Sequence, residues 1–241
     1  MEADREIIDC HCHILPRIDD GSQSVEESIG LLKAERLQSV GKVIVTPHFY
    51  ASKHSVEHFL VRRQESYEKL VSGIEKETEV SLPKLLLGAE VYYFPGIGRA
   101  KHISKVCLGD SNFLLLEMPF CQWDQEIYQD IKELMERQKI KVILAHIERY
   151  YEFQKKKEVW NEILQLPVVL QLNADNFLRW KKKKFCLDIL KKKDHVIMGS
   201  DCHNLSRRPP HIEEARRFIL EKGNAGMLQK MDDMAKRIWE A

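Results

Sequence analysis

The sequence predicts an α/β protein built on a mostly parallel sheet, and two observations support this fold class. Short β-branched apolar runs alternate with longer charged, amphipathic segments, as in repeated strand and helix units. About seven such units fit into 241 residues, which is close to the size of a (β/α) barrel. No Pro-, Gly- or Ser-rich linker interrupts the pattern, so residues 1–241 are predicted to form a single domain.

The individual elements follow from the period of the apolar residues. The predicted strands, in chain order, cover 6–14, 42–48, 85–92, 113–118, 142–146, 168–173 and 196–201. The predicted helices cover 24–40, 55–77, 125–138, 152–164, 178–191 and 211–222. The first helix begins with Ser24 three residues before Glu27, which is the spacing of a capping box.

Composition and charge exclude several classes of protein. With 44% hydrophobic and 31% charged residues, the chain is neither disordered nor collagen-like. The 38 Lys and Arg residues nearly balance 37 Asp and Glu residues, so no nucleic-acid partner is expected. The start of the chain is polar and no apolar run approaches the roughly 20 residues that a bilayer requires. We therefore expect a cytoplasmic protein without membrane insertion, whose six cysteines are reduced.

Three lysine runs, at 155–157, 181–184 and 191–193, interrupt this balance locally. Acidic residues elsewhere cancel their charge, and Trp180 is the only aromatic residue close to them that suggests base stacking. We interpret the runs as solvated helix faces. A role in holding an acidic protein tail is the alternative.

Residues of the types that bind metals stand at the ends of the predicted strands. In chain order they are His11, His13, His48, Glu90, Glu117, His146, Asp201 and His203. In a parallel barrel all strand carboxyl ends open on one face, where active sites are assembled. A single histidine at a strand end is more often a core or capping residue, but eight such residues together favour a metal site.

His11 and His13 are two residues apart on one strand, so their imidazoles are expected to share a face. Cys10 and Cys12 are expected to face the other side and to pack beneath the helices. Imidazole and carboxylate ligands without thiolate favour Mn, Fe or Zn over Ca. Several ions are expected, because carboxylate-rich sites tend to be multinuclear.

Several short motifs extend this pattern. They are DCHCHILPRIDDG at 9–21, TPH at 46–48, GAE at 88–90, LE at 116–117, AHIERY at 145–150, GSDCHN at 199–204 and RPP at 208–210. Together they resemble the polymerase and histidinol phosphatase (PHP) superfamily. Within it they are most similar to the bacterial metal-dependent protein tyrosine phosphatases of capsular and exopolysaccharide operons, the CpsB/CapC/YwqE-like family. The Cys between the two histidines departs from the small residue expected there.

The resemblance implies a distorted (β/α)7 TIM-like barrel with the metal site at the carboxyl-terminal face of the strands. It implies three divalent ions, with Mn as the expected metal and Fe or Zn as alternatives. The implied ligand sets are His11, His13, Glu90 and Asp201 for the first ion, Glu90, Glu117 and His146 for the second, and Asp20, His48 and His203 for the third. Asp19 is the alternative to Asp20. Arg149 and Arg208 match the arginines that bind substrate phosphate.

The resemblance also implies a reaction and a partner. The reaction is hydrolysis of protein phosphotyrosine by attack of a metal-bridged hydroxide on phosphorus, without a phosphoenzyme. Asp20 or a metal-bound water would protonate the leaving phenolate. The expected partner is a bacterial tyrosine kinase that controls polysaccharide synthesis. The alternatives are a small-molecule phosphomonoesterase such as histidinol phosphatase, a PHP-type phosphodiesterase or exonuclease, and a non-catalytic binding domain.

Two residues have competing interpretations. Cys202 and Arg208 have the Cys-x5-Arg spacing of thiol-dependent tyrosine phosphatases, but the intervening segment lacks the glycines that such a phosphate-binding loop normally needs. We therefore predict that Cys202 is not the nucleophile. Arg149 is predicted to bind phosphate, and the alternative is a surface pair with Glu148 or Glu152.

Overall fold

A computed structural model describes residues 6–78 and 80–241 of the chain. Its strands all pair in parallel, and helices lie between them in the sequence, as in an α/β fold. The strands are β1 (Ile7–Cys12), β2 (Val40–Val45), β3 (His48–Phe49), β4 (Lys84–Leu87), β5 (Glu90–Tyr92), β6 (Phe113–Glu117), β7 (Lys141–Leu144), β8 (Val169–Asn173) and β9 (Val196–Gly199). The predicted α/β class with parallel strands is therefore confirmed.

The helices are α1 (Val25–Leu37), α2 (Val56–Ile74), α3 (Gln125–Glu136), α4 (Glu158–Gln165), α5 (Lys183–Lys192), α6 (Ile212–Lys222) and α7 (Ala225–Trp239). The predicted start of α1 is correct, since the Ser24 hydroxyl accepts a hydrogen bond from the Glu27 amide at 3.1 Å. The Glu27 carboxylate, however, accepts from the amide of Gln23 rather than of Ser24. Within the described residues, none of these helices combines the length and the apolar character needed to span a membrane.

The strands form two sheets that meet on both sides. One sheet has the order β1-β2-β4, and the other has the order β3-β5-β6-β7-β8-β9. On one side β1 lies beside β9, where the His13 amide donates to the Cys202 carbonyl at 2.9 Å and the Asp201 amide donates to the His11 carbonyl at 2.8 Å. The end of the last strand is therefore attached to the end of the first, and the ligand-type residues of both lie side by side.

Two predicted strands, 42–48 and 85–92, are each divided in two by the structure. The first breaks at Thr46 and Pro47, and the second breaks at Gly88 and Ala89. Proline has no amide hydrogen for the ladder, so the strand cannot continue unchanged through Pro47. The Pro47 carbonyl instead accepts a hydrogen bond from the Glu90 amide at 3.0 Å. This bond lies where both segments leave the first sheet and enter the second.

Three helix predictions also need correction. The predicted helix 152–164 starts later, at Glu158, because 151–153 forms a short 3-10 helix instead. The predicted helix 178–191 starts at Lys183 and follows another 3-10 helix at 174–177. Helix α7 is absent from the sequence prediction, although Asn224 caps it and Leu228, Met231 and Ala235 have the spacing of a buried helix face.

The buried apolar residues form two clusters, and the two cysteines of β1 lie in different ones. Cys12 belongs to the larger cluster with residues of α1 and α2, as predicted. Cys10 lies in the smaller cluster instead, with Ile44, Ile197 and, from α7, Ile238. The prediction that both cysteines share a face is wrong, because the pairing register of β1 shifts between Asp9 and Cys12.

Candidate metal centre

The ligand-type residues singled out in the sequence come together in one buried pocket. His11 is the second-last residue of β1, His48 and Glu90 are the first residues of β3 and β5, and Glu117 is the last residue of β6. His146, Asp201 and His203 lie in the turns that follow β7 and β9. All of these side chains except His48 are buried, and His48 is only slightly exposed.

The first group of possible ligand atoms consists of His11 Nε2, His13 Nε2, Glu90 Oε2 and Asp201 Oδ1. The two imidazole nitrogens are 3.1 Å apart. Glu90 Oε2 lies 3.2 Å from His11 Nε2 and 3.3 Å from His13 Nε2. Asp201 Oδ1 lies 3.7 and 3.5 Å from the same two nitrogens. The ligand atoms of His11, His13 and Asp201 are mutually close enough to hold one ion, and Glu90 Oε2 lies beside both imidazoles.

A second group lies on the other side of Glu90. His146 Nε2 is 2.9 Å from Glu90 Oε1 and 3.6 Å from Glu117 Oε1. His48 also approaches this group, with its Nδ1 3.1 Å from Glu90 Oε2 and 3.8 Å from Glu117 Oε2. Glu90 therefore lies between the two groups, with Oε1 facing His146 and Oε2 facing His11, His13 and His48, so this carboxylate could contact more than one ion.

The third group consists of Asp20, His48 and His203. Asp20 Oδ1 lies 3.5 Å from His48 Nε2 and 3.6 Å from His203 Nε2. Asp19 is occupied differently, because its Oδ2 accepts hydrogen bonds from the His48 amide and from His13 Nδ1, each at 2.9 Å. The geometry favours Asp20 as the ligand and assigns Asp19 to the orientation of His13.

Further hydrogen bonds orient the histidine rings from behind. His11 Nδ1 is 3.0 Å from Gln171 Oε1, and His146 Nδ1 is 3.0 Å from Tyr150 Oη. His203 Nδ1 is 3.0 Å from the Asp201 carbonyl. When Nδ1–H donates to these oxygens, Nε2 is left unprotonated and faces the pocket, which is the tautomer that binds metal.

Gln171 and Asn173 of β8 hydrogen-bond to the proposed ligands His11 and Asp201, and the sequence reasoning missed both. The Gln171 amide group donates to Asn173 Oδ1 at 2.8 Å, and Asn173 Nδ2 donates to Asp201 Oδ2 at 2.7 Å. Both side chains are buried in a run that is otherwise apolar. A buried amide side chain needs polar partners. Gln and Asn inside an apolar run of the sequence were therefore the signal that could have placed these residues beside the pocket.

The backbone at this pocket is conformationally unfavourable in two places. His146 has φ 30° and Asp201 has φ 53°, a region that residues other than glycine rarely adopt. Gly21 is needed for a different reason, because a Cβ atom there would lie 2.2 Å from the His13 carbonyl oxygen. Unfavourable backbone of this kind is typically found at functional sites, where the surrounding structure holds it in place.

The pocket has the chemistry that cations require. Three of its buried polar atoms, Glu90 Oε2, His48 Nδ1 and His203 Nε2, make no hydrogen bond of good geometry among the described residues, although the first two are only 3.1 Å apart. Burial raises the pKa of Glu117 to about 8, and the Glu90 carboxylate adds to this effect. Burial also acts to raise the pKa of Glu90, but the neighbouring histidines hold it well below its usual range. Divalent ions would stabilise these crowded carboxylates and unpartnered atoms, so the residues fit metal binding.

Two arginines lie at the rim of the pocket. Arg208 Nη2 is 2.7 Å and Arg149 Nη1 is 3.6 Å from Asp201 Oδ2, and both side chains are about 40% exposed. The alternative partners of Arg149 are engaged elsewhere, because Glu148 accepts from Asn176 Nδ2 and Glu152 pairs with Lys182. Phe120 lies beneath Arg149, with the guanidinium carbon 5.2 Å from the ring centroid.

Cys202 is fully buried and is directed away from these arginines, with its Sγ 3.9 Å from Glu35 Oε1. We therefore expect Cys202→Ser to have a kcat/KM within about threefold of the wild-type value, since the thiol cannot reach a substrate and serine has a similar volume. Steady-state kinetics on a phosphotyrosine peptide checks this. A loss of several orders of magnitude in a folded Cys202→Ser protein would instead identify a thiol nucleophile.

Comparison with known families gives a match over nearly the whole chain. Residues 7–235 match the family described as capsular polysaccharide synthesis, CpsB/CapC. Among curated proteins, the chain is 27% identical over 222 residues to the tyrosine-protein phosphatase CpsB of Streptococcus agalactiae serotype III, covering 88% of this chain and 89% of the relative. It is 28% identical over 221 residues to the tyrosine-protein phosphatase YwqE of Bacillus subtilis, covering 90% and 84%.

A solved structure supports the fold. It comes from work on YwqE of Bacillus subtilis and CpsB of Streptococcus pneumoniae, described as unique metal-dependent tyrosine phosphatases. The TM-score is 0.81 at 20% sequence identity, with 97% of this chain and 94% of the other covered. The similarity shows that the two chains share one fold along nearly their full lengths.

Proposed function

The chain belongs to the CpsB/CapC capsular polysaccharide synthesis family, and from this premise we propose that it is a metal-dependent phosphatase of protein phosphotyrosine. The named relatives are tyrosine-protein phosphatases, which supports the same reaction for this chain. The proposed substrate is a bacterial tyrosine kinase that controls capsular or exopolysaccharide synthesis, and the proposed compartment is the cytoplasm.

One observation carries the proposal more than any other. Nine His, Asp and Glu side chains converge in one pocket, and two arginines stand at its rim. They are His11, His13, Asp20, His48, Glu90, Glu117, His146, Asp201 and His203. We assign them to three divalent ions, expected to be Mn with Fe or Zn as alternatives, in the sets described above. A site with this composition is suited to hydrolysis of phosphate esters.

The fold has a finer organisation that we also propose. The contacts of β9 with β1, and the breaks that carry two strands from one sheet to the other, support a distorted (β/α)7 barrel. In this arrangement the metal pocket lies at the carboxyl-terminal face of the strands. Residues 1–241 then form one catalytic domain, of which residues 7–235 match the family.

The reaction can be divided between the ions and the chain. Bound divalent ions would supply a Lewis acid and lower the pKa of a water molecule toward 7, so that it attacks phosphorus without a phosphoenzyme. Arg149 and Arg208 would hold the phosphoryl oxygens with planar, bidentate guanidinium groups. The proton for the leaving phenolate would come from Asp20 or from a water molecule at the ions. The hydrogen bond with His203 holds the pKa of Asp20 below its usual range, which favours the water as the donor.

The function is tested by comparing three substrates with protein loaded with Mn²⁺. A phosphotyrosine peptide is expected to be hydrolysed with a higher kcat/KM than histidinol phosphate or a phosphodiester. A preference for histidinol phosphate would make the chain a small-molecule phosphatase, and a preference for the diester would make it a phosphodiesterase. Absence of turnover on all three would leave a binding domain as the better assignment.

The aromatic wall at Phe120 provides a further test of the substrate class. The Phe120 ring is 38% exposed and lies 6.4 Å from the His146 ring in a stacked orientation. A phenyl ester placed at the ions would contact this face, whereas a small alkyl phosphate would gain little from it. Phe120→Ala is expected to reduce the ratio of kcat/KM for phenyl phosphate to that for an alkyl phosphate by about threefold to tenfold.

The Phe120→Leu variant is the matched control, because it keeps apolar bulk without the aromatic face. It should retain an intermediate ratio of the two kcat/KM values. A displaced Arg149 would lower kcat/KM for both esters equally and leave their ratio unchanged. An equal loss of kcat/KM on both esters would therefore show that Phe120 only supports the arginine.

A further inference from the structure

A large cleft extends from the metal pocket across the neighbouring surface. Its volume is about 950 Å³, and its inner end is lined by Asp201, Arg149 and Arg208. From there it runs to the segment 178–182, which precedes α5, and to Arg207. A substrate phosphate held by the rim arginines would therefore have open space beside it for the polypeptide of the substrate.

The cleft is lined mainly by cations. Its positively charged side chains are Arg149, Arg179, Lys181, Lys182, Arg207 and Arg208, and its carboxylates are Asp175 and Asp201. This contrasts with the whole chain, in which the two signs of charge nearly balance. The cleft is therefore a local site of positive potential that would attract an acidic ligand.

Not all of these cations are neutralised by the protein itself. Arg179 pairs with Asp175 at 2.8 Å, and Lys182 pairs with Glu152. Lys181 and Arg207 are both exposed and form no ion pair within the part of the chain that the structure describes. These two side chains are the ones available to bind carboxylates of a partner.

The same wall carries an exposed aromatic residue. The Trp180 side chain is 75% exposed, and the Lys181 ammonium lies 5.2 Å from the centre of its ring. A large exposed indole beside unpaired cations is suited to contact with a polypeptide, because the ring covers apolar parts of the chain while the cations bind its acidic side chains.

We propose that this cleft binds acidic residues that flank the phosphotyrosine of a protein substrate. Lys181 and Arg207 bind the flanking carboxylates, and Trp180 packs against the peptide between them. The proposal rests on the proposed phosphatase function and adds the sequence context that the enzyme selects.

The test compares peptides that differ only in the flanks. One phosphotyrosine peptide carries Glu at positions one to four on its amino-terminal side, a second carries them on its carboxyl-terminal side, and matched peptides carry Gln instead. At low salt, the wild-type protein loaded with Mn²⁺ is expected to show about a tenfold higher kcat/KM for at least one of the two Glu peptides than for the matched Gln peptide. This preference should decrease in 0.5 M NaCl, since exposed charges are screened.

Charge reversal identifies the residues responsible. The double variant Lys181→Glu, Arg207→Glu is expected to reduce the Glu-to-Gln ratio of kcat/KM to about one or below. The control double variant Lys84→Glu, Lys101→Glu makes the same change of charge at exposed lysines outside the cleft and should keep the wild-type ratio. Circular dichroism establishes that both variants are folded. A wild-type ratio near one, or an equal ratio in wild type and cleft variant, would overturn the proposal.

A binding measurement separates this proposal from the phosphatase function. Fluorescence anisotropy with a labelled Glu peptide that carries unphosphorylated tyrosine reports cleft binding without turnover. Tighter binding of the Glu peptide than of the Gln peptide, lost in the cleft variant, supports the cleft even if no phosphopeptide is hydrolysed. Equal binding of the two peptides, or displacement of the Glu peptide by a short single-stranded oligonucleotide at lower concentration than by acidic peptide, contradicts it.

Discussion

Removing divalent ions is expected to lower phosphatase activity by about 1000-fold or more, and adding Mn²⁺ should restore it. The reason is the composition of the pocket, whose His, Asp and Glu side chains are suited to bind the ions that would activate the attacking water. The measurement is turnover of a phosphotyrosine peptide after dialysis against a chelator, and again after Mn²⁺ is added. Metal analysis of the same protein should find about two to three ions per chain.

The control for this experiment is the folded state of the dialysed protein. The two large apolar clusters contain none of the proposed ligands, so the metal-free chain should keep its far-ultraviolet circular dichroism. Full activity in excess chelator would contradict the metal mechanism. Loss of both activity and secondary structure would show that the ions are needed for the fold rather than for the reaction alone.

The second large effect concerns Arg149. We expect Arg149→Lys to cost about 2–4 kcal/mol of transition-state stabilisation, or roughly 30- to 1000-fold in kcat/KM. Lysine keeps the charge but loses the planar pair of donors that can bind two phosphoryl oxygens. The position of the side chain at the rim, beside Asp201 and over Phe120, supports this role. The measurement is kcat/KM on a phosphotyrosine peptide with metal content determined in the same sample.

Arg137→Lys is the matched control, because Arg137 is exposed at the end of α3 and does not line the cleft. It should be indistinguishable from wild type. A change below about threefold for Arg149→Lys would remove Arg149 from the site, since an exposed arginine pair is worth no more than about 1 kcal/mol. Reduced metal content in Arg149→Lys would instead show that the arginine stabilises the pocket through Asp201.

Much of the site was accessible from the sequence because its chemistry is local in the chain. A His, Asp or Glu directly after a predicted strand is expected at the carboxyl end of that strand. In a parallel sheet all these ends lie at the same edge. The structure brings His11, Glu117 and Asp201 into one pocket from strands that are far apart in the sequence. Their residue types and positions at strand ends were enough to predict that they would meet.

Other features depended on contacts that no local pattern specifies. Pro47 itself marks a break in the second predicted strand, but the strand that continues beyond it is fixed by the Glu90 amide, which donates to the Pro47 carbonyl from a distant part of the chain. The choice between Asp19 and Asp20 depends on which carboxylate reaches His13 and which faces His203. The two residues are adjacent in the sequence, so only their surroundings distinguish them.

The sequence by itself therefore determined the α/β class, the family resemblance and the residues able to bind metal. The tertiary structure alone decided how those residues are grouped, which amides of β8 hold them, and that a cationic cleft opens beside them. The physical reason is that periodicity and residue chemistry are properties of short segments. Distances between ligand atoms, by contrast, are set by strand pairing across long separations, such as that of β1 with the turn after β9.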